Sequence, residues 1–594
     1  MTGKSLVGVQ LFEWMWKDVG RECKNYLGRT GFDFVQVPPP QEHVVGDVWW
    51  VRYRPASFLL ESRGGSREEF EQMVKDCRES GVEVMVDLVI NHMAANWLVS
   101  PYERRNWVCS AEADDEKTHK TTEPCKGWAG TKFQYRSFTD TKESQLNKKS
   151  FHHYAGNLMA NCELPPWSNN RYLCDLFNMP DLDTERPEVQ IILSRYLLDL
   201  YDIGVTMFRI DAAGHIYPSS LAKLLEPMPL EYVVQELYPH IIAFEPETIR
   251  KAKLISPITD FLYGQRVTQI FIDAYTNGVW ASRSKHFGEL ATFGTEFAPS
   301  PMKGASESCP YTITHTDLPD DFAMVFLDNH DSQRGRVRLN DTEPVCYFNG
   351  KEMNACRSTY KMGLMHLQAT LYMLLYPYGD SVRIMSSYSF ADEDEGPPGV
   401  SRKDYTRQPL SVFDEEGAGR DRCKETPKQH PAAAEWEQDK ERPWVCEHRW
   451  RGIPGMISFR KLIKGNAAAK PKPRHADSDG HVAFSIGKDA FVALNRNGYN
   501  NYTELGEDIW WDLAGVSTGL PEGVYCNMVE MSISMKLSAL PCPDRANATV
   551  RIGPRGTILE GSVEPYGVVA MHTRHSQKPD DSKKHGADLK IVGV

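Results

Sequence analysis

No stretch of this chain approaches the roughly 20 consecutive apolar residues of a membrane-spanning helix, so no helical membrane segment and no membrane partner are expected. Nor is a secretory leader expected in the first residues: Met1 to Gln10 leads straight into the strand-like L-V-G-V-Q-L-F, with no charged n-region followed by an apolar h-region. Excess positive charge is also lacking. Lys and Arg number 68 against 80 Asp and Glu, a formal net charge of −12, and phosphate neutralisation needs a basic face, so nucleic acid is not an expected partner. Compositional bias is absent too, since 41% hydrophobic and 25% charged residues are ordinary globular values. At 594 residues the chain exceeds one ordinary domain, which implies a large core domain and at least one smaller module.

Cysteine is not scarce. Thirteen is an odd number, so at least one thiol is unpaired or pairs between chains. Sequons at Asn340, Asn501 and Asn547 are permissive only, because such triplets arise by chance. Fourteen Trp and 25 Tyr suit a protein that stacks on sugar faces, although filling a core is the competing use of most of them.

Along the chain, strand and helix patterns alternate. Strands are predicted at Leu6–Phe12, Phe32–Val37 and Val82–Ile90, with helices at Val19–Leu27 and Glu68–Glu79, and such β-α units imply a parallel sheet. From about Met93 to Leu176 no period is sustained. The stretch is rich in Lys, Asn, Trp, Tyr and Cys, and a loop so long reads as an insertion with its own fold, domain B at 93–176. A helix at Pro187–Ile203 then feeds the strand beginning at Val205. Further strands are predicted at Tyr232–Leu237, Ile258–Tyr263, Phe322–Asp328 and Val382–Ser387. That makes eight, the number a closed parallel barrel needs, so the fold class is α/β, a (β/α)8 barrel divided between 1–92 and 177–455. Gln265 to Asp321 is an excursion, and Asp392 to Arg442 a charged surface loop. Beyond Met456 short strands are predicted, M-I-S-F, H-V-A-F-S-I, F-V-A-L-N, A-T-V-R-I and V-V-A-M-H. They form a C-terminal antiparallel β-sandwich at 456–575, with a polar tail at 576–594.

The stretch V-T-M-F-R-I-D-A-A-G-H, from Val205 to His215, is the centre of the functional argument. Val205, Met207, Phe208 and Ile210 read as a buried strand, yet Arg209 and Asp211 are charged and stand at its C-terminal end. In a parallel barrel that end opens into the active-site mouth, and a carboxylate beside a fixed cation stays ionised there, as a nucleophile requires. A structural Arg–Asp pair closing a strand end explains this one segment equally well. Three further strand ends carry polar groups: Asp87 with Asn91 and His92; Gln235 with Glu236; and Asn329, His330 and Asp331. Four such clusters at one end of successive strands converge on a single mouth, which makes coincidence the poorer explanation.

The runs D-L-V-I-N-H (87 to 92), F-R-I-D-A-A-G-H (208 to 215), Q-E (235 to 236) and F-L-D-N-H-D (326 to 331) resemble the four signature regions of the α-amylase family of glycoside hydrolases. The likeness extends to the animal-type members through L-F-E-W-M-W (11 to 16), G-F-D-F-V-Q-V-P-P-P (31 to 40), W-W-V-R-Y (49 to 53), N-H-D-S-Q-R-G (329 to 335), P-Y-G (377 to 379), I-M-S-S-Y (384 to 388) and V-C-E-H-R-W-R (445 to 451). It spans roughly Ser5 to Arg574. The resemblance implies retaining endo-hydrolysis of α-1,4-glucan, starch or glycogen, by a monomer. Asp211 would be the nucleophile, Glu236 the acid and base, and Asp331 the third carboxylate; the first two should lie roughly 5 to 5.5 Å apart. Arg209 would keep Asp211 ionised, His92 and His330 bind sugar hydroxyls, and Asp87 support the mouth. Trp49, Trp50 and Tyr53 would offer a stacking platform, with core packing as the alternative, because adjacent tryptophans in extended chain face opposite ways.

The resemblance also implies Ca²⁺, held by Asn91, Asp181 and the main chain at Tyr172 and His215, oxygen donors that suit this ion. For chloride, Arg209 and Asn329 match two of the three family ligands. Counting back from Pro377 puts Leu364 at the third place, and Arg357 or Lys361 would serve only if the helix carries an insertion. Gly214 stands where the animal enzymes have a lysine. Cys23 with Cys77, Cys162 with Cys174, and Cys526 with Cys542 match family disulfides, and Cys446 matches half of another, with Cys423 as a conceivable partner. Paired thiols favour the secretory pathway. The missing leader points the other way, to an incomplete N-terminus or to a cytoplasmic enzyme with reduced cysteines. Two rivals stand beside hydrolysis: a sister enzyme that transfers glycosyl groups or trims branched glucan, and a noncatalytic glucan-binding protein, which should have lost a carboxylate this chain keeps.

Overall fold

Eight of the apolar segments pair in parallel and close on themselves. They are β1 (Leu6–Leu11), β2 (Phe34–Val37), β3 (Glu83–Leu88), β4 (Met207–Ile210), β5 (Tyr232–Gln235), β6 (Ile258–Asp260), β7 (Ala323–Val325) and β8 (Ser381–Ser386), and the barrel runs β1-β8-β7-β6-β5-β4-β3-β2 before returning to β1. The computed structural model describes residues 5–95, 125–152, 162, 169–238, 245–272, 288–292, 318–334, 346–348, 351–353, 358–401, 404, 406–414, 421–427, 441–464, 470–477, 480–496, 510–531, 542 and 548–577. Asn340, Asn501 and Asn547 of the sequons, Arg357 and tail residues 578–594 lie outside the described residues, as do large parts of the insertion and of the 265–321 excursion.

Burial on both faces explains the unbroken apolar runs of these strands. Phe34, Met85, Met207, Tyr232, Val234 and Met324 cluster as a core of the barrel. Gly8 makes room for one of them: a Cβ there would lie 2.1 Å from Cζ of Phe34. Between strands run the expected helices, Arg67–Glu79 behind a Ser66/Glu69 capping box and Pro187–Ile203 ended by Gly204 at φ 115°. The predicted helix at 19–27 starts earlier, at Trp16, and widens to a π turn over Cys23–Leu27. The predicted strand at 258–263 stops at Asp260, because Phe261–Ile272 is helical.

After β3 the described part of the insertion is built on the small pair Cys125–Lys126 and Lys132–Phe133, with Phe133, Phe138 and Phe151 ring to ring and a buried Arg136–Asp175 ion pair at 2.9 Å. Single bridges, Val44 to Gly127 and Phe151 to Leu182, fasten it to barrel loops.

The chain divides into two compact units, one of Met1–Ile272, Ala298–Met373 and Tyr378–Trp450, the other of Asp273–Phe297, Leu374–Pro377 and Arg451–Val594. In the second, M-I-S-F is not a strand. It lies in the helix Ile453–Lys464, whose buried Ile453, Met456, Ile457 and Ile463 keep helical spacing over a longer window than four residues reveal. The antiparallel strands follow as β9 (Pro471–Ala476), β10 (His481–Ile486), β11 (Ala490–Asn495), β12 (Trp511–Asp512), β13 (Gly523–Cys526), β14 (Thr549–Ile552), β15 (Ile558–Glu560), β16 (Ser562–Val563), β17 (Val568–His572) and β18 (Ser576–Gln577). Sheets β9-β10-β11-β17 and β15-β14-β13-β18 share a core of Phe491, Trp511, Tyr525, Ile552 and Met571 among others. The start of the expected polar tail is therefore structured, since Ser576 and Gln577 pair with β13. Disulfides join Cys23–Cys77, Cys162–Cys174, Cys423–Cys446 and Cys526–Cys542. No helix among the described residues is long and apolar enough to cross a membrane.

Candidate active site

Strand register brings the carboxylates together. Asp87 on β3 stands beside Arg209 on β4, Ile210 beside Gln235 on β5, and Asp211 and Glu236 follow at the strand ends. Arg209, 1% exposed, spans the group: Nη1 donates to Asp87 and to Oδ1 of Asp211 at 3.0 Å, and Nη2 donates to Glu236. The backbone N–H of Ala212 donates to Oε2 of Glu236 at 3.0 Å. Asp331 acts electrostatically on Asp211 from the next cluster, and its Oδ2 is 3.2 Å from Nε2 of His330. Neither acid is sealed off, as Asp211 is 8% and the Asp331 side chain 18% exposed.

One guanidinium thus serves three carboxylates. Burial, then the charge of Glu236, push the Asp211 carboxyl well above the usual carboxylate range, against the pull of Arg209. Burial raises Asp87 in the same direction. Arg209 pulls Asp211 towards its ionised form, as expected, while burial and the neighbouring carboxylates oppose it. Acid–base work on a glycosidic bond needs one carboxyl protonated beside one that is not.

Tyr53 donates to Oδ2 of Asp87 at 2.8 Å and stacks on His330, rings 4.8 Å apart. Trp49 meets His330 edge-on at 5.4 Å. These residues share a 3-10 helix, Trp49–Tyr53, so the extended-chain argument about adjacent tryptophans does not apply. Trp50 is held differently, under the Arg54 guanidinium and donating to Asp394 at 3.0 Å. All three aromatics are buried. His92 has Nε2 3.0 Å from the Tyr53 carbonyl and Nδ1 3.3 Å from the Asn91 amide, and burial lowers it to about 4, a neutral ring donating through Nε2. His330 accepts from Gln10 at Nδ1, 3.0 Å away, and faces Asp331 with Nε2. Both imidazoles therefore position protein groups, and a sugar hydroxyl would compete with those partners.

Asn91 and Asp181 lie on neighbouring segments, since Leu182 N–H donates to the Asn91 carbonyl at 2.9 Å. Arg171, next to Tyr172, contacts the Gly214 carbonyl through Nε, and its own carbonyl is 3.0 Å from Nδ1 of His215. Asp181 Oδ1 is buried without a hydrogen-bond partner, and burial pushes its carboxyl up to about 8. An orphaned carboxylate oxygen beside amide and main-chain oxygens suits a hard cation. Its other oxygen bonds His152 Nδ1 at 2.6 Å, a contact no sequence pattern indicated. Of the chloride candidates, Asn329 Oδ1 accepts from Ser332 N–H at 2.8 Å, Leu364 opens an apolar helix and Lys361 donates to the Phe390 carbonyl at 2.9 Å. The strand-end rule could also have found Gln10, Gln36 and Arg383, which stand on β1, β2 and β8. Arg383 bonds Gln36 at 2.8 Å, leaves Nε and Nη2 buried without partners, and is lowered to about 10 by burial and by Arg209.

A family model described as alpha amylase, catalytic domain, matches residues 59–429. An alpha-amylase-related protein of Drosophila bipectinata is 29% identical over 581 residues, covering 95% of this chain and 92% of that one. An alpha-amylase of Tenebrio molitor is 28% identical over 580 residues, 95% and 96% of the two chains. Wild type alpha-amylase I of Eisenia fetida has a similar fold, with a TM-score of 0.65 at 24% identity over 96% of this chain and 98% of its own. With more than half of its residues matched by the family model, around a barrel whose strand ends carry these carboxylates, the chain belongs to the alpha-amylase family of glycoside hydrolases.

Proposed function

We propose that the protein hydrolyses internal α-1,4 bonds of starch- or glycogen-type glucans with retention of configuration. The observation that carries this is the Arg209 fork, which holds Asp211 and Glu236 at the two ends of one planar group. Asp211 attacks the anomeric carbon while Glu236 gives its proton to the departing glycosidic oxygen. Glu236 then takes a proton from water, whose oxygen displaces the Asp211 carboxylate. Asp331, oriented by His330, aligns sugar hydroxyls, and Asp87 with Tyr53 fixes Arg209 from behind. Trp49 and Tyr53 supply the apolar side of the cleft.

Ca²⁺ would be held by Asn91, Asp181 and the main chain at Tyr172 and His215, where it would neutralise Asp181 and tie the insertion to the barrel. An anion in the barrel would be held by Arg209 and Arg383, the buried guanidinium with donors to spare, more readily than by Arg209 and Asn329. The four disulfides among the described residues fit an oxidising compartment, so we place the protein in the secretory pathway.

Glu236→Gln tests the acid. The variant should lose roughly 10²- to 10⁴-fold in kcat on maltooligosaccharides and much less on an α-maltosyl fluoride, whose leaving group needs no proton. Equal losses on both substrates would sink the assignment. The anomer first released, read by NMR, tests retention.

A further inference from the structure

The hairpin of β9 and β10 gathers three ligand-type side chains that play no part in the chemistry above. His475 is the last residue but one of β9, Asp477 follows the strand and His481 begins β10, in the order H-A-D-S-D-G-H. Oδ2 of Asp477 is 2.9 Å from Nε2 of His475 and 2.8 Å from Nδ1 of His481, and one ligand atom from each residue lies within 4.8 Å of the other two. The second carboxylate oxygen accepts the His481 N–H at 3.1 Å, which fixes the carboxylate plane. Trp511 fixes the rings: His481 stacks on the indole at 4.6 Å and 8°, and His475 lies over it at 5.1 Å.

Two imidazoles aimed at one oxygen by different ring nitrogens, against a shared indole, form a preorganised three-donor face. We propose that His475, Asp477 and His481 bind a divalent transition metal ion, Zn²⁺ in the first instance. Two nitrogens and one oxygen suit a borderline ion and disfavour Ca²⁺ and Mg²⁺, which take oxygen ligands. With bonds of roughly 2.0 to 2.2 Å, tetrahedral ligand atoms stand about 3.3 Å apart, so the present spacing to Asp477 has to widen by only about half an ångström. Coordination displaces the imidazole protons facing Asp477 to the other ring nitrogens or to water. His475 and Asp477 are partly exposed, which gives the ion a path in and leaves its remaining position to water. Among the described residues, Cys162, Cys174 and His215 also converge, but their sulfurs are joined in a disulfide.

The test is isothermal titration of the full chain, saturated with Ca²⁺ and stripped of transition metals, with Zn²⁺ alone. Uptake of one ion is expected, weakened at least about tenfold in both Asp477→Asn and His475→Gln. Asp477→Asn keeps the side-chain shape, so a folding defect in the histidine variant leaves the test intact. Absence of saturable uptake in the wild-type chain, or unchanged affinity in the variants, would overturn the proposal.

Discussion

Replacing Arg209 by Met asks how far a single cation sets the protonation of the whole site. The guanidinium is buried and bonded to Asp87, Asp211 and Glu236, so its removal strands three carboxyls at once. Taking away one partner of a buried ion pair costs about 3–5 kcal/mol. Shared over three carboxyls at 1.36 kcal/mol per pH unit, that loss corresponds to about one pH unit in the titration of the set as a whole. The sign follows from the charge: Arg209 favours the ionised forms, and without it protons bind more tightly. The acid limb of kcat/KM, which reports the coupled set and not one residue, should therefore move up by about one unit. At neutral pH kcat/KM should fall by about 10²- to 10⁴-fold if the transition state bears the full loss. Arg209→Lys separates charge from geometry. It keeps the cation but cannot occupy both Nη positions, so it should lose about one charge-assisted hydrogen bond, 1.5–3 kcal/mol, with a smaller displacement of the limb. The assay is kcat/KM on a soluble maltooligosaccharide across the acid and neutral range, with circular dichroism to confirm folding. An acid limb unmoved or moved down in Arg209→Met would refute the reasoning.

Burial pushes the Glu447 carboxyl from 4.5 up to about 8, so the folded state keeps a proton that the unfolded chain releases. Its stabilisation is complete below pH 4.5 and drains away as pH rises towards 8, by about 1.4 kcal/mol per unit. Glu447→Gln, whose amide oxygen still accepts the Ser387 N–H, should flatten the fall of the thermal midpoint over that window; parallel curves would count against it. Gly8→Ala drives a methyl into Phe34 and should cost about 1–3 kcal/mol, partly recovered by Phe34→Leu; an unchanged midpoint would show that the barrel core yields there. Ca²⁺ at a hundredfold excess over its Kd should stabilise the protein by about 2.7 kcal/mol, and Asp181→Asn should blunt that response; an equal response in both proteins removes Asp181 from the site.

The sequence by itself determined the barrel. A strand buried on both faces must be written almost wholly in apolar residues, and eight such runs spaced by helical patterns leave few other ways to close a sheet. It also exposed the acids, because Asp211 and Glu236 interrupt those runs where a charge is otherwise costly. Short windows misled where two periods fit: M-I-S-F satisfies a strand and a helix equally, and only packing along Ile453–Lys464 chose between them. Tertiary structure alone decided that one arginine is shared by three carboxylates, that both site histidines face protein partners, and that Arg383, bonded to Gln36, keeps two buried donors without partners. Those facts depend on which strands are neighbours and on how far each side chain reaches, and distances across a closed barrel are written in no local pattern of residues.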